Sequence, residues 1–215
     1  MTERLFDGVI FDLNGVLVDT DAYDYEAWRI TAERYGLRLT REIHTHLRGL
    51  SRTASLERVL ADTGAALSEE KKAALSEEKN ALYQKLLYGM SPEDPTEEVR
   101  KTLAALRQRG YRLAVGSSSQ NGAFIVERTG LLPAFDAVCD GNSITRAKPD
   151  PEVFLLAAER LQLPPERCLV VEDALPGVTA AHAGGMRAAC IADASRAGAG
   201  DWNLETFSDL LKILS

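Results

Sequence analysis

The sequence predicts an α/β protein: a parallel sheet core with helices on both faces, plus an inserted helical cap domain. Three observations predict it. Beyond residue 97, short apolar runs alternate with helix-period segments, and strands of that kind pair in parallel beneath covering helices. One apolar run near the start, Val9-Ile10-Phe11, stands alone and is followed by helical patterns with no strand among them. That helical stretch ends at MSPEDPTEE, where two prolines break the pattern. The core domain therefore comprises 1–15 and 93–215, and the cap domain 16–92.

Taken in order, Val9 to Phe11 is an apolar strand that delivers Asp12 to a turn. Tyr23 to Tyr35 has amphipathic helical spacing and stops at Gly36. After a short segment to Leu50, helices run from Arg52 to Asp62 and from Ser68 to Leu87. SEEKKAALSEEKNAL repeats Ser-Glu-Glu-Lys over only two turns, so it reads as a capped, charge-laced helix surface. In the core, helix Glu97–Arg109 leads to strand Tyr111–Gly116, and helix Gly122–Thr129 to strand Phe135–Val138. Helix Pro151–Leu161 precedes strand Cys168–Val171, and helix Pro176–Ala183 precedes strand Ala188–Ala192. The result is a Rossmann-like alternation.

Composition limits the function. A protein of 215 residues is large enough to bury a full core, and 45% hydrophobic with 27% charged residues is ordinary for a soluble protein. A net charge of −7 with no basic stripe argues against nucleic acid as a partner. No apolar run approaches the roughly 20 residues that span a bilayer. The opening MTERLFDG lacks a signal-peptide layout, so the expected location is cytoplasmic, and the expected state a monomer. Cys139, Cys168 and Cys190 are odd in number and each lies in an apolar run, as buried reduced thiols do. His44-x-His46 has no third ligand near it and reads as a pair of surface polar groups rather than a metal site.

Parallel sheets place ligands beyond the carboxyl ends of their strands. The residues there are Asp12 and Asn14, the turn GSSSQNG (Gly116 to Gly122), and Glu172-Asp173, with Lys148 in the nearby loop RAKPDP. Carboxylates, hydroxyls on a glycine-bounded turn and one lysine suit phosphoryl transfer. Asp12 can be the nucleophile, forming an aspartyl phosphate. Asp173 with Glu172 can hold Mg²⁺, while Ser117, the turn N–H groups and Lys148 can hold phosphate oxygens.

These four ordered motifs resemble those of the haloacid-dehalogenase-like superfamily, over essentially the whole chain. LRGLSRTASL (Leu47 to Leu56), Lys79-Asn80 and SSSQNG resemble more narrowly its β-phosphoglucomutase family. That resemblance implies interconversion of β-D-glucose 1-phosphate and glucose 6-phosphate through a glucose 1,6-bisphosphate. It implies Mg²⁺ on Asp12, the backbone carbonyl of Asn14 and Asp173, with Glu172 nearby. Ser117 and Lys148 would hold the transferring phosphate. Arg52, with Ser119 and Asn121 from the core turn, would hold the other, and Ser118 of the same turn would also contact substrate. Trp28, Leu47, Gly49, Leu50, Ser55 and Lys79 would line the sugar pocket.

Three positions depart from the family pattern. Asn14 stands where the acid–base Asp is found, Gln120 where a Lys is found, and Asp24 where a His is common. An amide can neither take the sugar hydroxyl's proton nor return one to the leaving oxygen. Such assistance is worth about 10²–10⁴ in rate, so binding should survive while turnover slows. A sugar-phosphate phosphatase of the same fold is an alternative that needs no Arg52 site. A non-catalytic sugar-phosphate binder is another, and would never phosphorylate Asp12.

Overall fold

The structure, a computed structural model, describes residues 4–214. The first three residues of MTERLFDG, on which the signal-peptide reading partly rests, lie outside the described residues. Two compact units make up the protein, Met1–Asp19 with Ser91–Ser215, and Thr20–Met90.

The first unit is built on one six-stranded sheet: β1 (Gly8–Phe11), β2 (Arg112–Gly116), β3 (Ala137–Cys139), β4 (Cys168–Glu172), β5 (Arg187–Cys190) and β6 (Trp202–Asn203). Its order is β3-β2-β1-β4-β5-β6, with every pair parallel. β1 is central, with Phe11 level with Val115 on one side and Val171 on the other. All of its residues are buried, as a strand covered on both faces requires.

The second unit is helical: α1 (Asp21–Arg34), α2 (Arg41–Thr45), α3 (Arg52–Thr63) and α4 (Glu69–Leu87). The hydroxyl oxygens of Thr40, Ser51 and Ser68 accept the third backbone N–H after them and so cap α2, α3 and α4. Trp28, Ala32, Leu47, Leu56, Val59 and Leu75 are among the buried residues that form its own hydrophobic core.

Helices α5 (Glu97–Gln108), α6 (Gly122–Arg128), α7 (Glu152–Arg160), α8 (Leu175–Ala183), α9 (Ala192–Arg196) and α10 (Leu210–Ile213) belong to the sheet unit. Successive strand residues face opposite sides. Ile10, Ala114, Val170 and Ala188 thus share a cluster with Phe154 and Ala157 of α7 and Val178 of α8. Phe11 points the other way, its ring 6.1 Å from that of Phe135 and 5.8 Å from that of Phe207. No described helix is long and apolar enough to cross a membrane.

Three local expectations shift. The expected strand Phe135–Val138 lies two residues later, at β3, because Phe135 is spent on packing against Phe11, and Asp136 accepts the Leu113 N–H at 2.8 Å. α2 falls in a stretch where the sequence predicts no element, and its cap at Thr40 is what organises it. β6 is two residues long and too short to show a period.

Candidate active site

Asp12 follows β1 and Glu172 ends β4, on the two neighbouring strands where the sheet order reverses. This is the topological switch point, where open α/β sheets leave a crevice beyond the strand ends. The Asp12 N–H donates to the Val171 carbonyl at 2.9 Å, which ties the start of its turn to β4. Ligand atoms of Asp12, Glu172 and Asp173 lie within 4.8 Å of one another.

Lys148 reaches this group from the loop before α7. Its ammonium donates to Asp12 Oδ1 at 2.5 Å and to Glu172 Oε1 at 2.6 Å, and lies 4.5 Å from the centroid of the Phe154 ring. The other Glu172 oxygen accepts the backbone N–H groups of Asp173 (3.0 Å) and Ala174 (3.2 Å). Glu172 therefore anchors both the lysine and the turn that carries Asp173. Gly177 makes room for it: a Cβ there would stand 1.8 Å from Glu172 Oε1. Gly15 is constrained likewise, with φ +86° and Asp173 Oδ2 only 2.2 Å from where a Cβ would be.

Burial pushes the Asp12 carboxyl up to about 7; the Lys148 charge opposes this and the Glu172 charge adds to it. Burial likewise pushes Asp173 up to about 8, with Asp12 and Glu172 adding their repulsion. Desolvation alone would lower the Lys148 ammonium, but Asp12 and Glu172 outweigh it and raise it. An isolated ion pair would lower its carboxylate. Here burial raises the two acids and two carboxylates raise the ammonium, so a cluster with a surplus of carboxylates retains a proton.

That surplus has a consequence for stability. The ordinary Asp value is 3.8, so between it and about 8 the metal-free folded protein binds more protons here than the unfolded one. Stability contributed by this site is full below the lower value and is lost as pH rises through the upper ones. Thermal melts in chelator should show stability falling from about pH 4 to about pH 8, more steeply than in Asp12→Asn. Equal slopes in the two proteins would remove this account.

The turn after β2 is organised by its own hydroxyls. Ser117 Oγ accepts the Ser119 N–H, and Ser119 Oγ accepts the Asn121 N–H, each at 3.2 Å. Ser118 Oγ accepts the Lys148 N–H at 3.2 Å, which joins the turn to the lysine loop. Ser117 and Asn121 are buried. Asn14 is half-buried, and its Oδ1 has no hydrogen-bond partner. Gln120 gives its backbone carbonyl to the Asn142 amide at 2.7 Å.

In the helical unit the residues read as a sugar pocket separate into two kinds. Trp28 and Leu47 are 2% and 5% exposed and sit in that unit's core, so packing accounts for both. Ser55 is also buried, while Gly49 turns the backbone with φ +74° ahead of the half-buried Leu50. Arg52 donates to Asn80 Oδ1 at 2.7 Å. Lys79 is buried, paired with Asp24, and its ammonium stands 5.2 Å from the Trp28 ring centroid and 4.5 Å from that of Tyr83.

His44 corrects a sequence reading: it is 3% exposed rather than a surface group, and its Nε2 lies 3.1 Å from Asp24 Oδ2. Asp24, one of the three departures from the family pattern, thus serves a lysine and a histidine together. Their charges hold its carboxyl below the usual range even though burial, the largest influence, raises it. Two histidines at i and i+2 give no sign of this, since the partner lies 20 residues away.

Oxygen ligands in a cluster with surplus negative charge fit a hard divalent cation such as Mg²⁺. The carboxylates that come together where it could be held are Asp12, Glu172 and Asp173. The same edge offers a nucleophilic carboxylate, one buried ammonium and a hydroxyl turn.

The haloacid dehalogenase-like hydrolase family model matches residues 6–185. A β-phosphoglucomutase of Bacillus subtilis is 34% identical over 180 residues, covering 83% of this chain and 80% of that protein. A phosphorylated carbohydrates phosphatase of Thermotoga maritima is 33% identical over 183 residues, covering 84% and 82%. The crystal structure of a Clostridium difficile β-phosphoglucomutase superposes with a TM-score of 0.87 at 28% identity, over 95% of this chain and 93% of that one.

Proposed function

This chain belongs to the haloacid dehalogenase-like hydrolase family, and from that membership we propose a phosphosugar mutase of the β-phosphoglucomutase kind, slowed by Asn14. The observation that carries this is the meeting of Asp12, Asp173, Glu172 and Lys148 at the switch point of the sheet.

In this reading Asp12 attacks the C1 phosphorus of the bisphosphate, the bond from that phosphorus to the C1 oxygen breaks, and glucose 6-phosphate leaves. The aspartyl phosphate then passes its phosphoryl group to the C6 hydroxyl of β-D-glucose 1-phosphate, which frees Asp12 and remakes the bisphosphate. Lys148 leaves its contact with Asp12 for a phosphate oxygen while Glu172 keeps it protonated and in place. Ser117 donates its hydroxyl to the same phosphate, its oxygen lone pair being already taken by the Ser119 N–H. Asp12, Asp173 and the Asn14 carbonyl would hold Mg²⁺, which would supply positive charge to offset the repulsion between the transferring group's oxygens and the Asp12 carboxylate. Asn14 orients a sugar hydroxyl by hydrogen bonding but moves no proton. Arg52 holds the distal phosphate, which a mutase needs because its bisphosphate must present either end.

Stripping divalent cations with a chelator should abolish transfer, and readdition of Mg²⁺ should restore it. Full activity in excess chelator would end the metal assignment. Arg52→Ala should weaken the bisphosphate by about 1.5–3 kcal/mol, the worth of a charged hydrogen bond, and leave inorganic phosphate nearly unaffected. Equal losses for both ligands would make Arg52 a surface residue.

A sugar-phosphate phosphatase is the second reading. Two observations favour it: Lys79 is already neutralised by Asp24, and Gln120 supplies no charge to the core turn. The deciding experiment follows β-glucose 1-phosphate with Mg²⁺ and a trace of bisphosphate in the Asn14→Asp form. Glucose 6-phosphate as product means mutase; inorganic phosphate with free glucose means phosphatase.

A further inference from the structure

Asn14-Gly15 is one of two Asn-Gly pairs in the sequence, the other being Asn121-Gly122. The two are held very differently. Gly15 is exposed, in a left-handed conformation, and cannot acquire a side chain because Asp173 fills that space. Its N–H makes a single turn bond, to the Val18 carbonyl at 2.8 Å. The amide before it is not clamped through its oxygen, since Asn14 Oδ1 has no hydrogen-bond partner among the described residues. Gly122 also makes one turn bond, to the Ser119 carbonyl at 3.2 Å, but Asn121 is buried and Gly122 is buried against Asp140 at the start of α6, so solvent does not reach that pair.

We propose that Asn14 is a site of spontaneous deamidation in the folded protein, and that conversion to Asp at this position switches on the acid–base group the protein lacks. The second half rests on the functional reading above; the first does not. The chemistry needs only water. The Gly15 nitrogen, its proton lost to solvent base, bonds to Asn14 Cγ, and the bond from Cγ to the amide nitrogen breaks to release ammonia. Water then opens the resulting five-membered imide. Opening at one carbonyl yields Asp, and at the other isoAsp.

A glycine nitrogen attacks unhindered, and Gly15 has the backbone freedom to reach the amide once its one turn bond opens. Asn14 Oδ1 is buried but Gly15 is exposed, so water reaches the ring from the Gly15 side. The Asp product carries a carboxylate on an unaltered backbone. The isoAsp product lengthens the backbone inside a tight turn and displaces the Asn14 carbonyl, so only the Asp fraction should gain activity. If acid–base help is worth about 10³, conversion of roughly one molecule in a thousand doubles the measured rate.

The test is to age the intact protein at mildly alkaline pH in heavy-oxygen water, with a parallel aliquot unfolded in denaturant. Peptide mapping then follows both Asn-Gly sites, and Asp and isoAsp are resolved by chromatography. The expected result in the folded sample is an amide-to-acid mass change with one solvent oxygen at Asn14, several-fold faster than at Asn121. In the unfolded aliquot the two sites should convert at similar rates. A folded sample in which Asn14 is unchanged, or no faster than Asn121, overturns the proposal. Transfer activity should rise in step with the Asp fraction at position 14. Asp accumulating without activity, when the genetic Asn14→Asp form is active, overturns the switch. If that genetic form is itself inactive, the acid–base reading has failed and the mass change alone decides the modification site.

Discussion

Replacing Asp12 with Asn is expected to abolish phosphoryl transfer, with a loss of at least about 10⁴, as removal of a covalent nucleophile does. Asp12 shares Lys148 with Glu172 and lies beside Asp173, and it alone of the three follows β1, so no neighbour can take over its line of attack. Glu172 is the nearest candidate, but its oxygens are committed to Lys148 and to the turn N–H groups of Asp173 and Ala174. The measurement is acid-quenched incorporation of phosphate label from the bisphosphate, together with steady-state turnover. Label that persists in Asp12→Asn at the parental level would place the nucleophile elsewhere. Misfolding is separable: losing one of three crowded carboxylates should hold or raise the melting temperature near neutral pH, since Lys148 retains Glu172.

Converting Asn14 to Asp should raise turnover by about 10²–10⁴ with little change in substrate affinity. The position follows the nucleophile by two residues, and its carbonyl is free to remain where it is while the side chain changes from amide to acid. A carboxylate can accept the sugar hydroxyl's proton as that oxygen attacks, then return a proton to the leaving oxygen. The variant should therefore also acquire a pH dependence of kcat that the Asn14 form lacks. An unpartnered buried oxygen at Asn14 fits this picture, because the site is shaped for a group whose partner arrives with the substrate. Unchanged kcat would mean that chemistry is not what limits this protein, and the phosphatase or binder readings would then gain.

Much of the site is legible in the sequence because parallel α/β folds put chemistry at strand ends, and strands announce themselves as apolar runs. Asp12 after Val9-Ile10-Phe11, and Glu172-Asp173 after Leu169-Val170-Val171, can be picked out on that ground alone. The individual duties cannot. Glu172 reads as a metal-site carboxylate and stands in that cluster, but only the fold shows that its oxygens also bind Lys148 and its own turn. Trp28 reads equally as sugar-pocket wall or as core, because an aromatic at helical spacing has the same pattern in either role, and the fold buries it in the core of the helical unit. His44 reads as surface and is buried on Asp24.

The sequence by itself determined the alternation of strands and helices, the helical segment between them, and which residue types stand at the strand ends. Those are local properties: hydrophobic period, capping residues and breakers act over a few positions. Tertiary structure decided the strand order, which puts Asp12 and Asp173 side by side, and the pairing of Asp12 with a lysine 136 residues away. It also decided that Gly15 and Gly177 must lack side chains, since the atoms that exclude a Cβ belong to Asp173 and Glu172. Contacts of that range follow from the packing of whole elements, and the titration of Asp12 depends on the burial and charges those contacts create.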